Sequence, residues 1–119
     1  MTALLVALGA ALGGVLRYLV STAVGRPCAF PWATFAVNVV GSLAIGVLSG
    51  WLARCTGNAS AVRAFAVVGF CGGFTTFSTF SNETFQMLEN GQSVAVLAYA
   101  LGSVLAGIAA VYLGHLLSR

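Results

Sequence analysis

Gly69-Phe70-Cys71-Gly72-Gly73-Phe74-Thr75-Thr76-Phe77-Ser78-Thr79-Phe80-Ser81-Asn82-Glu83 interrupts an otherwise apolar region of the chain. Two adjacent glycines loosen the backbone there, and five hydroxyl residues follow within seven positions; of the four phenylalanines in the stretch, Phe70 and Phe74 precede the hydroxyls and Phe77 and Phe80 stand among them. A membrane-spanning segment tolerates such a stretch only where protein or a wet cavity surrounds it, because each unpaired backbone group costs several kcal/mol in hydrocarbon. The stretch reads as a break in a membrane helix. Transporters build ion sites near the bilayer middle from such breaks.

The surrounding composition supports this reading. The chain has 119 residues, 60% hydrophobic and only 6% charged, with a mean hydropathy of +1.02. Soluble domains carry about 25% charged residues, so a soluble surface of this size cannot be covered. The five basic residues are all arginine and lie scattered at Arg17, Arg26, Arg54, Arg63 and Arg119. That pattern argues against nucleic-acid binding, which needs clustered positive charge. Cys28, Cys55 and Cys71 form no C-x-x-C pair and read as small apolar filler. No metal cluster, nucleophile–His–acid set or phosphate loop is present, which argues against an enzyme. The N-terminal apolar run has no positive region before it and reads as a retained span.

Crossing about 30 Å of hydrocarbon takes about 20 helical residues. Four spans are expected, at about 3–24, 31–53, 62–88 and 93–117, joined by linkers too short for a soluble domain. The fold class is thus an all-α membrane protein, a single four-helix unit broken in its third span. Gly9-x-x-x-Gly13, Gly46-x-x-x-Gly50 and Gly69-x-x-x-Gly73 give three spans a strip of small residues. Such strips let helix backbones approach closely, within the bundle or between subunits. With both termini on one side, Arg54, Arg63 and Arg119 oppose Arg26, joined or not by Arg17. A charge bias this small permits insertion both ways.

Span two carries Thr34, Asn38 and Ser42 on one helix face, a polar stripe suited to interhelical hydrogen bonds or to a pore wall. Tyr99 and Ser103 are likewise four apart in span four, and His115 near its end is given no role. Arg17 lies two turns inside span one, where a charge either snorkels to the headgroups or serves a cavity. Phe77 and Phe80 share a face of a helix starting near Thr75. Among them stand Thr75, Thr76, Ser78, Thr79 and Ser81. Hydroxyls, the Asn38 amide and ring edges suit a small anion, whereas carbonyls released at Gly72–Thr75 suit a cation. Both signs stay open on the residues alone, with the anion favoured.

On Gly13-Gly14 with Arg17-Tyr18, on Thr34–Gly41 with Asn38, and on Gly69–Glu83 with its Thr-Thr-Phe-Ser-Thr-Phe run, the chain resembles the CrcB/Fluc family of small bacterial fluoride channels. The likeness extends over the whole chain. It implies an antiparallel, dual-topology homodimer in the bacterial cytoplasmic (inner) membrane, with two pores at the subunit interface and passive export of fluoride from the cytoplasm. By the same likeness Phe77 and Phe80 line the pores and Asn38 donates to fluoride. Ser78 and Thr79 belong to the pore, and Thr34, Glu83, Tyr99 and Ser103 to a polar track. Arg17 falls in a vestibule. The backbone carbonyls of Gly72 and Thr75 from both subunits hold a structural sodium ion at the dimer centre. Gly107 stands where the family can carry a hydroxyl. Two other readings compete. A proton-coupled small multidrug-type exporter would use Glu83 as its buried carboxylate, and an assembly subunit would transport nothing.

Overall fold

The computed structural model describes residues 1–25, 30–57 and 59–119. The expectations for Arg26, Cys28 and most of the first linker lie outside the described residues, as does Asn58. The elements are α1 (Thr2–Val24), α2 (Trp32–Leu52), α3 (Ala59–Val62), a π-helical segment (Arg63–Cys71), α4 (Gly72–Phe74), α5 (Phe77–Glu89) and α6 (Ser93–Leu117). Among the described residues there is no strand. Four helical stretches among the described residues are long and apolar enough to cross a membrane, the third running from Ala59 to Glu89 through α3, the π-helical segment, α4 and α5. The chain is elongated, 51 × 28 × 20 Å, which matches the about 40–45 Å of a bilayer with its headgroups.

The glycine strips explain how the helices pair. Gly9 and Gly13 of α1 are buried against the third crossing. A Cβ on Gly9 would overlap the Phe65 carbonyl, and one on Gly13 the Phe70 carbonyl. From the other side, a Cβ on Gly69 would come within 2.7 Å of the Val6 carbonyl, and Gly73 lies on the backbone of Ala10. Backbone thus meets backbone along this pair, and the first and third strips face each other. The second strip faces α6: Gly46 lies on the Val111 carbonyl, Gly50 on Ser118, and Gly114 of α6 on the Leu43 carbonyl. All three strips are occupied inside one chain, so they are not the subunit contacts that the sequence also allowed.

At its far end α5 closes with Gly91 at φ 74°, a conformation that favours glycine. The Gln92 amide donates to the Met87 carbonyl at 3.0 Å and the Gly91 amide to Leu88 at 3.1 Å, a Schellman stop. This sharp reversal folds α6 back along α5. It buries Met87, Val96 and Tyr99 together, with Phe30, Phe35 and Phe80 packed around them. Cys71 is buried as apolar filler, and both Cys55 and Cys71 are free thiols.

Candidate functional site: the broken third crossing

The helix does not open at the glycine pair. Gly72 keeps helical dihedrals, and Gly73 is held on α1, where lack of a side chain serves close packing. The backbone leaves the helix two residues later. Thr75 (φ −85°, ψ 160°) and Thr76 (φ −152°, ψ 123°) are extended, and α5 begins at Phe77. β-Branched threonines accept extended backbone readily. Thr76 also caps the new helix: its Oγ1 accepts from the Thr79 amide at 3.3 Å and donates to Thr79 Oγ1 at 3.1 Å.

Unwinding strips backbone groups of their helical partners, and side chains from two other helices take them up. Asn38 of α2 pairs with both backbone groups of Thr76. Its Oδ1 accepts from the Thr76 amide at 2.8 Å, and its Nδ2 donates to the Thr76 carbonyl at 3.0 Å. On the other flank Arg17 Nε donates to the Gly73 carbonyl at 3.1 Å. The Thr76 amide, which helix continuation would aim at the Gly72 carbonyl, is thus committed to Asn38. The Thr79 amide, which would reach Thr75, is committed to Thr76 Oγ1. The carbonyls of Gly72 and Thr75 are left without their helical donors.

Beside the break lies a cavity of about 270 Å³, lined by Asn38, Ser42 and Ile45 of α2, Thr75, Thr76, Phe77 and Phe80 of the third crossing, and Ser103 and Val104 of α6. No charged side chain stands in its wall. The Phe77 and Phe80 ring centroids are 6.0 Å apart, and Phe77 is 79% exposed. Ser103 Oγ is buried with no hydrogen-bond partner. The Asn38 amide has two N–H donors, and Thr76 takes one. The wall therefore offers unspent donors and ring edges in a setting of low polarity. Such a wall can replace part of the water around a small anion without holding it by a full charge. Ser42 Oγ donates to the Asn38 carbonyl at 2.6 Å. A second, larger cavity shares Ser42, Ser103 and Val104 with the first and runs past Gly107 to Tyr112 and His115.

Of the residues singled out from sequence, Asn38, Thr75, Phe77, Phe80 and Ser103 come together at the first cavity. Tyr99, wholly buried, donates to Glu83 Oε1 at 3.0 Å and packs on Phe80 with centroids 4.9 Å apart. Tyr99 and Glu83 thus back the cavity and do not line it. Thr34 is buried on α2 away from both cavities. Ser78 is exposed on the first turn of α5, and Thr79 is engaged with Thr76. Arg17 lies on the α1 side, and Gly72 is exposed outside the cavity wall. Sequence reading gave Thr76 no role of its own. Its position as a threonine three residues before Thr79, at the start of a helical run, was the available signal of an N-cap.

A family model described as CrcB-like protein, Camphor Resistance (CrcB), matches residues 4–115 of this sequence. The chain belongs to the CrcB family. Curated members of similar sequence are named fluoride-specific ion channel FluC. The one from Novosphingobium aromaticivorans is 48% identical, covering 96% of this chain and 93% of its own length. That from Methylobacterium nodulans is 50% identical over 91% of this chain and 88% of its own. The Phocaeicola vulgatus protein is 45% identical over 98% and 97%. Coverage on this scale, together with four helical stretches able to cross a membrane, makes this CrcB chain a multi-pass membrane protein of a family whose curated members are named as ion channels, not enzymes.

Proposed function

We propose that this CrcB chain is a fluoride-selective channel that lets fluoride leave the bacterial cytoplasm down its gradient. The observation that carries the reading is the uncharged cavity beside the break. There a free Asn38 N–H, the partnerless Ser103 hydroxyl and the Phe77 and Phe80 rings face one space. Fluoride is small and strongly hydrated, so selective passage needs donors fixed at short range. An acid in this wall would repel it, and a full positive charge would trap it. The names of the relatives point the same way.

The conducting unit in this reading is an antiparallel homodimer. A channel wall cannot leave Phe77 79% exposed to lipid beside polar backbone. The exposed Ser78 hydroxyl adds to the same open flank, and a second, inverted copy of the chain closes it. The carbonyls of Gly72 and Thr75 fit a sodium ion at the centre of that dimer. They are hard oxygen donors relieved of their helical amides, and two from each subunit approach the coordination that such an ion takes. When bound, the ion supplies positive potential that lowers the cost of an anion in a medium of low dielectric. Within the pore Asn38 donates to the anion, and Phe77 and Phe80 present ring edges. Ser78, Thr79 and Ser103 contribute hydroxyls, and buried Thr34, with Tyr99 and Glu83, backs the track. The proton-coupled exporter finds no support in the family. The test is fluoride efflux from liposomes holding purified protein, with chloride as control. Fluoride efflux without chloride efflux is expected, and its absence overturns the reading.

A further inference from the structure

Arg17 stands where the anion cavity does not account for it. It is half-buried on α1, outside the cavity wall, and its Nε donates to the Gly73 carbonyl across a sequence separation of 56 residues. That carbonyl is an orphan acceptor at the end of the upstream half-helix, because the extended Thr75–Thr76 pair carries the Phe77 amide away from it. A cation also suits the negative end of a helix. The approach is built into the backbone: Gly13 lies on the Phe70 carbonyl, and Gly73 lies on Ala10. One turn further along α1, Arg17 reaches the break.

We propose that Arg17 is a positioning residue for conduction. It holds Gly73 from the α1 side while Asn38 holds Thr76 from the α2 side. The two grips fix the angle at which the chain leaves the upstream half, and hence where Phe77 enters the cavity. A released Gly73 carbonyl recovers a donor by recapturing the Phe77 amide, which winds the helix through the break and swings Phe77 out of place. Loss of a charge-assisted hydrogen bond shifts such an equilibrium by about tenfold or more. The consequence for conduction rests on the fluoride-channel reading. The grip itself does not.

The sequence supplies a clean probe. It contains two Gly-Phe junctions, Gly69-Phe70 and Gly73-Phe74. Protein labelled with glycine 13C carbonyl and phenylalanine 15N therefore gives two inter-residue correlations in a bilayer. In Arg17→Gln the Gly73-Phe74 correlation moves, Gly69-Phe70 stays, and fluoride efflux falls about tenfold or more. Arg17→Lys, which keeps a charged donor, restores most of the efflux. An unmoved Gly73-Phe74 correlation in Arg17→Gln overturns the proposal, as does efflux equal to that of the parent. Should Arg17→Gln fail to fold, the unaltered protein decides by a dipolar contact between arginine 15Nε and the Gly73 carbonyl carbon, expected at about 4 Å. Absence of that contact overturns the proposal. If the parent itself passes no fluoride, the channel reading falls, and the Gly73-Phe74 correlation alone decides the role of Arg17.

Discussion

Asn38→Asp changes one atom at the centre of the site and leaves its shape intact. Oδ1 still accepts from the Thr76 amide at 2.8 Å, but an oxygen replaces Nδ2 at 3.0 Å from the Thr76 carbonyl. A hydrogen bond becomes a contact between two acceptors, and a carbonyl loses its donor. Stability falls by about 1–3 kcal/mol. The effect on the ion is larger. The donor that faces the cavity disappears and a unit negative charge takes its place. At about 4 Å and an effective dielectric of about 20, repulsion of an anion costs about 4 kcal/mol. Tenfold in rate corresponds to about 1.36 kcal/mol, so efflux drops about a thousandfold. The assay is fluoride release from liposomes read with a fluoride electrode, on protein shown to be folded by its elution profile and helical circular dichroism. Folded Asn38→Asp protein that conducts within tenfold of the parent refutes the reasoning, because the ion then does not pass near this amide.

Phe77→Ile keeps bulk but removes the ring edge, and is expected to cut fluoride efflux by tenfold or more while the purified protein keeps its helical signal; growth of fluoride-sensitive cells gives the second readout. Glu83→Gln keeps an acceptor for the Tyr99 hydroxyl, so efflux stays within about threefold of the parent, whereas a proton-coupled exporter would lose all transport in a flux assay. Tyr99→Phe removes that hydrogen bond but keeps the packing on Phe80, and thermal unfolding in detergent is expected to show a loss of about 1 kcal/mol. Gly9→Val places side-chain atoms on the Phe65 carbonyl, and a loss of about 1–3 kcal/mol or more is expected to appear as aggregation on size-exclusion chromatography.

Much of this architecture was legible because bilayer physics constrains it strongly. Four crossings follow from apolar length alone, and the cluster of hydroxyls and phenylalanines marked the third as irregular. Asn38 stood out as the lone amide in span two, and it does meet the irregular segment. The exact site of unwinding was not legible. Adjacent glycines can serve either loosening or close approach, and here Gly73 serves approach to Ala10. Local sequence does not say which use applies until the neighbouring helix is in place. The partner of Arg17 was hidden for the same reason, since a bond between residues 17 and 73 depends on which glycine strips face each other. The stripe of Thr34, Asn38 and Ser42 shows the limit of helical periodicity. Its members share a face, yet Thr34 is buried away from the cavity that Asn38 and Ser42 line.

The two halves of the third crossing answer to different neighbours. The upstream half rides on α1 through glycine contacts, and the downstream half is bound to α6 through Tyr99, Glu83 and Phe80. Within the third crossing, the two blocks are joined by one dipeptide. A relative shift of the two halves is therefore taken up in the backbone angles of the extended Thr75 and Thr76 before it disturbs the packing of either half.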